Sequence, residues 1–164
     1  MMIYKKSKYT YALVNLRPIV PGHVLVVPLR VVTRFKELTP EESIDYIETL
    51  QKVHKFIEYI YKADSLNIAI QDGPEAGQSI PHLHTHLIPR HKVNNIGDKI
   101  YGLLQDEKYD IDDSLKEFYA RKLAYKENDF VVKPDESRFN RSQEDMEKET
   151  KWLTEELEKF YDEK

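Results

Sequence analysis

The chain contains no cysteine, so it can hold neither a disulfide nor a thiolate metal site, and a reducing compartment suits it. No stretch approaches the roughly 20 apolar residues that a membrane-spanning helix needs. The basic start, Met1 to Lys8, lacks the apolar core of a secretory signal. Basic residues are not in surplus either. A net charge of −4 and a pI near 5.9 provide no global positive field for gripping a nucleic-acid backbone, although a local cluster of donors can still hold a small anion. Internal repeats and low-complexity tracts are absent. What remains is 164 residues, 40% hydrophobic and 33% charged, the balance of a soluble globular chain long enough to bury a core. The expectation is one domain over 1–164 with no membrane or nucleic-acid partner. Its expected location is the cytoplasm, with the nucleus also open to it.

Local patterns predict an α+β order. Tyr9 to Leu16 and His23 to Pro28 are apolar and β-prone, and Pro21-Gly22 between them is a turn signal, so they form a hairpin. Thr39, Pro40 and Glu42 make a helix start with a hydroxyl cap, a proline in the first turn and a capping-box acid. Ile44, Ile47, Leu50, Val53, Ile57 and Ile60 then recur at the spacing of one helical face, predicting a helix over 40–62. Leu66 to Gln71 alternates as a half-buried strand. Residues 72–77 carry turn chemistry, and a further strand covers 81–89. Two strands, a helix and two strands give an antiparallel meander with the helix packed on one sheet face. The core is thus about 9–90. Charge is dense over 91–140, which is expected to form a lid or excursion with short helices near 97–105 and 113–125. Met146, Glu149, Leu153, Leu157 and Phe160 then fall on one face of a terminal helix over 142–161.

The strongest chemical signal is His82-Leu83-His84-Thr85-His86. In a strand these three histidines point one way while Leu83, Thr85 and Leu87 point the other. A single strand histidine is unremarkable, but three neighbouring imidazoles are costly to desolvate and fill a core poorly. One shared metal ion does not fit them. At ~3.3 Å per residue the outer two emerge ~13 Å apart, whereas Zn–N bonds are only ~2 Å long. A pair of them with an outside ligand remains a possible metal site. The better fit is a chemical role for the middle ring, because neutral histidine is a competent nucleophile near pH 7. Its second nitrogen must then be held by an acceptor, while the flanking rings bind substrate oxygens or pass a proton. Gly73 and Gly77 in the preceding loop leave backbone N–H groups accessible, and Gln78 and Ser79 add neutral donors, which together suit a phosphate. His54, His91, Arg90 and Tyr101 carry no comparable pattern and are expected to be surface residues.

His82 to Ile88 resembles the His-x-His-x-His-x-x signature of the histidine triad (HIT) superfamily. Gln71 to Gln78 is similar to its Fhit branch, as are Ala12 to Asn15, Pro18, Pro21 to Val26 and Pro28. The likeness covers about 9–105, with a weaker echo in the last helix. It implies a HIT-like fold, an antiparallel sheet with a long helix and a C-terminal helix, and hydrolysis of a dinucleoside polyphosphate such as diadenosine triphosphate. By that resemblance His84 attacks the α-phosphorus, ADP leaves, and water releases AMP from the imidazole. His86 contacts the α-phosphate and bridging oxygen, His82 orients the nucleophile's strand, and His23 supports them. Asn15 matches a ribose contact, Gln71 a glutamine near the scissile bridge, and Gly77, Gln78, Ser79 and Ile80 the phosphate-contacting stretch. The resemblance further implies a divalent cation (Mg2+ or Mn2+) chelated by the substrate rather than by the protein. It also implies a homodimer formed by joined sheets, with the 40–62 helix contributing.

Sister branches fit less well. Nucleotidyltransferase relatives carry glutamine where His86 stands, the DNA-repair branch has a zinc finger, and the phosphoramidase branch lacks the long loop after the triad. The chain starts about a dozen residues late relative to the family pattern, so the first strand, which helps cradle adenine, is expected to be short or missing. Thr85 replaces a usually apolar residue and is expected to be tolerated on the strand's outward face. The alternative function is a nucleotide-binding signalling module whose output is the substrate complex itself.

Overall fold

The computed structural model describes residues 3–92 and 141–162. Strands β1 (Ile3–Lys6), β2 (Thr10–Val14), β3 (Val24–Pro28), β4 (Ser65–Ile70) and β5 (Thr85–Arg90) form one antiparallel sheet in the order β1-β2-β3-β5-β4. Helix α1 (Pro40–Ile60) lies between β3 and β4 in sequence, and α2 (Gln143–Asp162) ends the described chain. The first strand is therefore present but only four residues long, with a register break between Ile3 and Lys5. Nor is the sheet a simple meander. β5 inserts between β3 and β4, leaving β4 at the edge. The short helices expected near 97–105 and 113–125, and Tyr101, lie outside the described residues.

The β2–β3 connection turns at Gly22, whose φ of +83° is one that side-chain-bearing residues rarely adopt. There the His23 N–H donates to the Val20 carbonyl at 3.1 Å. The start of α1 is a full capping box. Thr39 Oγ1 accepts from the Glu42 N–H at 3.3 Å, and Glu42 Oε2 accepts from the Thr39 N–H at 2.8 Å. Arg30 forks onto both oxygens of Glu42 at 2.7 Å each, and this pairing, with the cap bonds, holds that carboxyl down to about 2.

Both helices pack on one sheet face. Ala12, Val14, Val24, Val26, Leu83 and Leu87 of the sheet side meet Tyr46, Val53, Phe56 and Ile57 of α1 and Met146, Leu153, Leu157 and Phe160 of α2. The buried stripe of α1 differs from the expected one. It runs through Glu42, Tyr46, Thr49, Val53, Phe56 and Ile57, whereas Ile44 and Ile47 are 63% and 51% exposed. The helix has apolar residues on several sides, and contact with α2 through Phe56–Phe160 and Tyr59–Phe160 draws the buried arc toward that flank. On the other sheet face Tyr11, Leu13, Leu25, Val27 and Ile80 form a second, smaller cluster.

Candidate active site

Register assigns the two faces of β5. His86 sits opposite Leu25 and Ala69, while Thr85 sits opposite Val26 and Ile70. Residues directly opposite share a face, so His86 lies on the side away from the helices. Leu83 and Leu87 belong to the helix-side core, as the alternation predicts. Of the histidine run only Thr85 and His86 are in the strand itself, because β5 begins at Thr85; His84 lies in the irregular segment leading into it and His82 at a bend, its N–H donating to the Ile80 carbonyl at 2.7 Å. Thr85 corrects one expectation. It faces inward, fully buried, with Oγ1 2.6 Å from the hydroxyl of Tyr46, which also donates to the Val26 carbonyl. A hydroxyl is accommodated there because α1 brings it a polar partner.

The hydrogen bonds determine the tautomers. His84 Nδ1 lies 2.7 Å from the His82 carbonyl. A carbonyl only accepts, so Nδ1 carries the proton and the lone pair of neutral His84 is on Nε2. His82 likewise donates from Nε2 to the Pro28 carbonyl at 3.0 Å, which ties the lead-in to β3. His23 Nδ1 accepts from the Ile19 N–H at 3.1 Å. Its proton is therefore on Nε2, which donates to His86 Nδ1 at 2.9 Å. His86 must then carry its own proton on Nε2, an atom buried without a hydrogen-bond partner among the described residues. The result is a relay from a backbone amide through His23 to His86. It leaves a proton donor on His86 beside an electron-pair donor on His84, with ring centroids 5.0 Å apart.

Burial keeps His23 and His86 neutral. His23 is pushed down to about 3, first by desolvation, then by the positive forms of His84 and Arg141. Desolvation, followed by His84 and His23, also holds His86 well below the usual imidazole value.

Asn15 packs behind the relay. Its Oδ1 accepts from the Arg17 N–H at 3.0 Å, which turns Nδ2 toward His23 Nε2 at 3.3 Å. With the His23 proton directed at His86, that approach is packing rather than a second hydrogen bond. Extending the β4–β5 register by one step sets Gln71, which is buried, across from His84 on the histidine face.

The loop between β4 and β5 makes a turn over Pro74–Ala76, flanked by Gly73 at φ +117° and Gly77 at +89°. The Gln78 side chain donates from Nε2 to the Thr33 carbonyl at 2.8 Å, so one of its donors holds the loop in place. Ser79 Oγ is buried with no partner among the described residues, and Ile80 belongs to the second apolar cluster. Among the residues missed by sequence reasoning is Arg34. Its guanidinium lies 3.0 Å from where a Gly73 Cβ would stand, and it pairs with Asp72 at 3.3 Å, locking the glycine loop onto the 33–37 turn. No sequence spacing links residues so far apart. Of the surface candidates, His91 donates to the Tyr61 carbonyl at 3.0 Å and Arg90 donates to the Asn67 side chain. Among the described residues, no group of three or more His, Asp or Glu side chains is placed to hold a metal ion, and no helix is long and apolar enough to cross a membrane.

A helix-backed antiparallel sheet thus carries a cluster of hydrogen-bonded imidazoles on its opposite face, a candidate active site. The HIT domain family model matches residues 2–93. A bis(5'-adenosyl)-triphosphatase of Saccharomyces cerevisiae is 49% identical, over 96% of this chain and 87% of that protein. An asymmetrical bis(5'-nucleosyl)-tetraphosphatase of Schizosaccharomyces pombe is 40% identical, over 92% and 86%. Among solved structures, the NitFhit protein of C. elegans superposes with a TM-score of 0.63 at 27% identity, covering 94% of this chain and 27% of that one. The chain belongs to the HIT family.

Proposed function

We propose that this protein hydrolyses dinucleoside polyphosphates of the diadenosine triphosphate type to AMP and ADP through a covalent AMP–histidine intermediate. The observation that carries the reading is the tautomer pair, an electron pair on His84 Nε2 beside a proton on His86 Nε2. The names of the S. cerevisiae and S. pombe relatives supply the substrate class. His84 Nε2 forms a bond to the α-phosphorus as the bond to the bridging oxygen breaks, and ADP departs as an anion whose oxygen accepts a hydrogen bond from His86 Nε2–H. The Nδ1–H bond to the His82 carbonyl stabilises the charge that His84 gains. Water then attacks the phosphorus and loses a proton to solvent, the P–N bond breaks with its electron pair returning to His84 Nε2, and AMP leaves. His82 and His23 position these two rings. Asn15 holds a ribose, Gln71 lies at the scissile bridge, and Gly77, Gln78, Ser79 and Ile80 line the phosphates. A divalent cation arrives as part of the substrate.

Dimerisation belongs to the same proposal. β4 is an open sheet edge with Ile68 and Ile70 49% and 36% exposed, the kind of edge that pairs with another chain. On α1, Asp45 bonds back to Ser7 and Tyr9. Two residues later, about 200° round the helix, Ile47 emerges on the opposite flank. The deciding experiment is rapid quench with labelled diadenosine triphosphate. Label on the protein that is stable in base and labile in acid, and absent from His84→Asn, is the expected result. His84→Asn should still bind substrate. Loss of binding, or turnover without labelled protein, refutes the mechanism.

A further inference from the structure

Arg141 stands just ahead of α2. Its Nη1 lies 2.6 Å from Glu149 Oε2, in a pair only 25% and 16% exposed. Nη2 donates to the Asn15 carbonyl, and the Arg141 backbone N–H donates to the Leu16 carbonyl at 3.4 Å. Glu149 also accepts from the Tyr61 hydroxyl at 2.8 Å. The Tyr61 ring lies so close to Gly22 that a Cβ there would come within 2.7 Å of it. One guanidinium thereby connects α2, the end of α1 and the turn that carries both Asn15 and His23. That turn in turn supports His86 through the 2.9 Å His23 contact.

Resting on the hydrolase reading above, we propose that Arg141 is a positioning residue for the reaction, gripping the Asn15 turn from just ahead of α2 so that His23 stays aligned on His86. Its planar fork suits the task, because two separate acceptors are bridged at once. The groups that face His23 are His84 and His86 from β5 and its lead-in, the Asn15 amide and Ile19 N–H from its own turn, and Arg141 from just ahead of α2 with Glu149 of α2 bonded behind it. The positive charge of Arg141 also opposes a proton on His23. The contact that aligns the ring thus favours the neutral form the relay uses.

A double-mutant cycle on the full chain, with diadenosine triphosphate as the probe, separates this role from a merely structural one. Arg141→Gln is expected to lower kcat by roughly tenfold or more, with KM changed by less than about threefold. In a His23→Asn background the same substitution is expected to cost less than about twofold. Equal losses in the two backgrounds, or a negligible loss in the parent chain, overturn the proposal. Should Arg141→Gln not fold, Glu149→Gln unties the guanidinium and carries the same cycle. Ring ¹⁵N signals of histidine-labelled protein provide a readout without turnover. Displaced His23 and His86 signals with an unmoved His54 support the proposal, and unmoved His23 and His86 signals defeat it. If the parent chain fails to hydrolyse the probe, the hydrolase reading falls while the ring signals still judge the positioning.

Discussion

Acid should unfold this protein through its buried relay before its carboxylates take part. His23 titrates at about 3 in the fold against 6.5 for an ordinary imidazole, and His86 is lowered in the same direction. The unfolded chain therefore binds more protons than the native one over this interval, so stability is full above pH 6.5 and falls as pH drops below it. Between pH 7.5 and 5.0 one such imidazole costs about 2 kcal/mol, and two therefore cost up to about 4 kcal/mol. With a urea slope near 2 kcal/mol per molar, the unfolding midpoint should fall by about 1–2 M. Glu42, held at about 2 by Arg30, contributes little in this window, because its stabilisation is lost only below the ordinary carboxylate range. The assay is urea unfolding followed by circular dichroism at pH 7.5, 6.5, 5.8 and 5.0, for the parent chain and for His23→Asn. The variant removes one of the two titrating rings and should show roughly half the pH-dependent loss. A parent midpoint that does not move, or a variant slope equal to the parent's, refutes the claim that these rings are buried in the neutral form.

Gly22→Ala puts a methyl 2.7 Å from the Tyr61 ring at a φ of +83°. The expected loss is about 2–4 kcal/mol by thermal or urea unfolding, and a loss below ~1 kcal/mol would mean that the Tyr61 contact gives way freely. If the proposed dimer pairs through the open edge of β4, the parent chain should have a dimer's mass by light scattering and Ile68→Lys a monomer's; a monomeric parent chain, or an unchanged mass in the variant, refutes that pairing. Protein gel-filtered in EDTA should keep its melting temperature and regain its full rate as soon as Mg2+ is added to the substrate. A rate that stays low would point to a metal held by the protein.

Much of this protein was legible along the chain because the relevant physics is local. The capping box at Thr39 and Glu42, the turn at Pro21-Gly22 and the α2 spacing of Met146, Leu153, Leu157 and Phe160 each depend on neighbours a few residues apart. The alternation His82, His84, His86 against Leu83, Thr85, Leu87 is local in the same way. The side a residue faces is not. Ile44 and Ile47 fit a helical period yet stay exposed, because α2, about a hundred residues later, draws the buried arc to another flank. Thr85 turned inward because Tyr46 of α1 waits there with a hydroxyl. The insertion of β5 between β3 and β4, which leaves β4 open, follows from pairings between distant segments. The tautomers belong to the same class. Sequence placed three imidazoles in a row, but the carbonyl of His82, the amide of Ile19 and the ring of His23 decide which nitrogen of each holds a proton. Hydrogen-bond partners across a fold are chosen by three-dimensional proximity, and periodicity along a chain does not encode it.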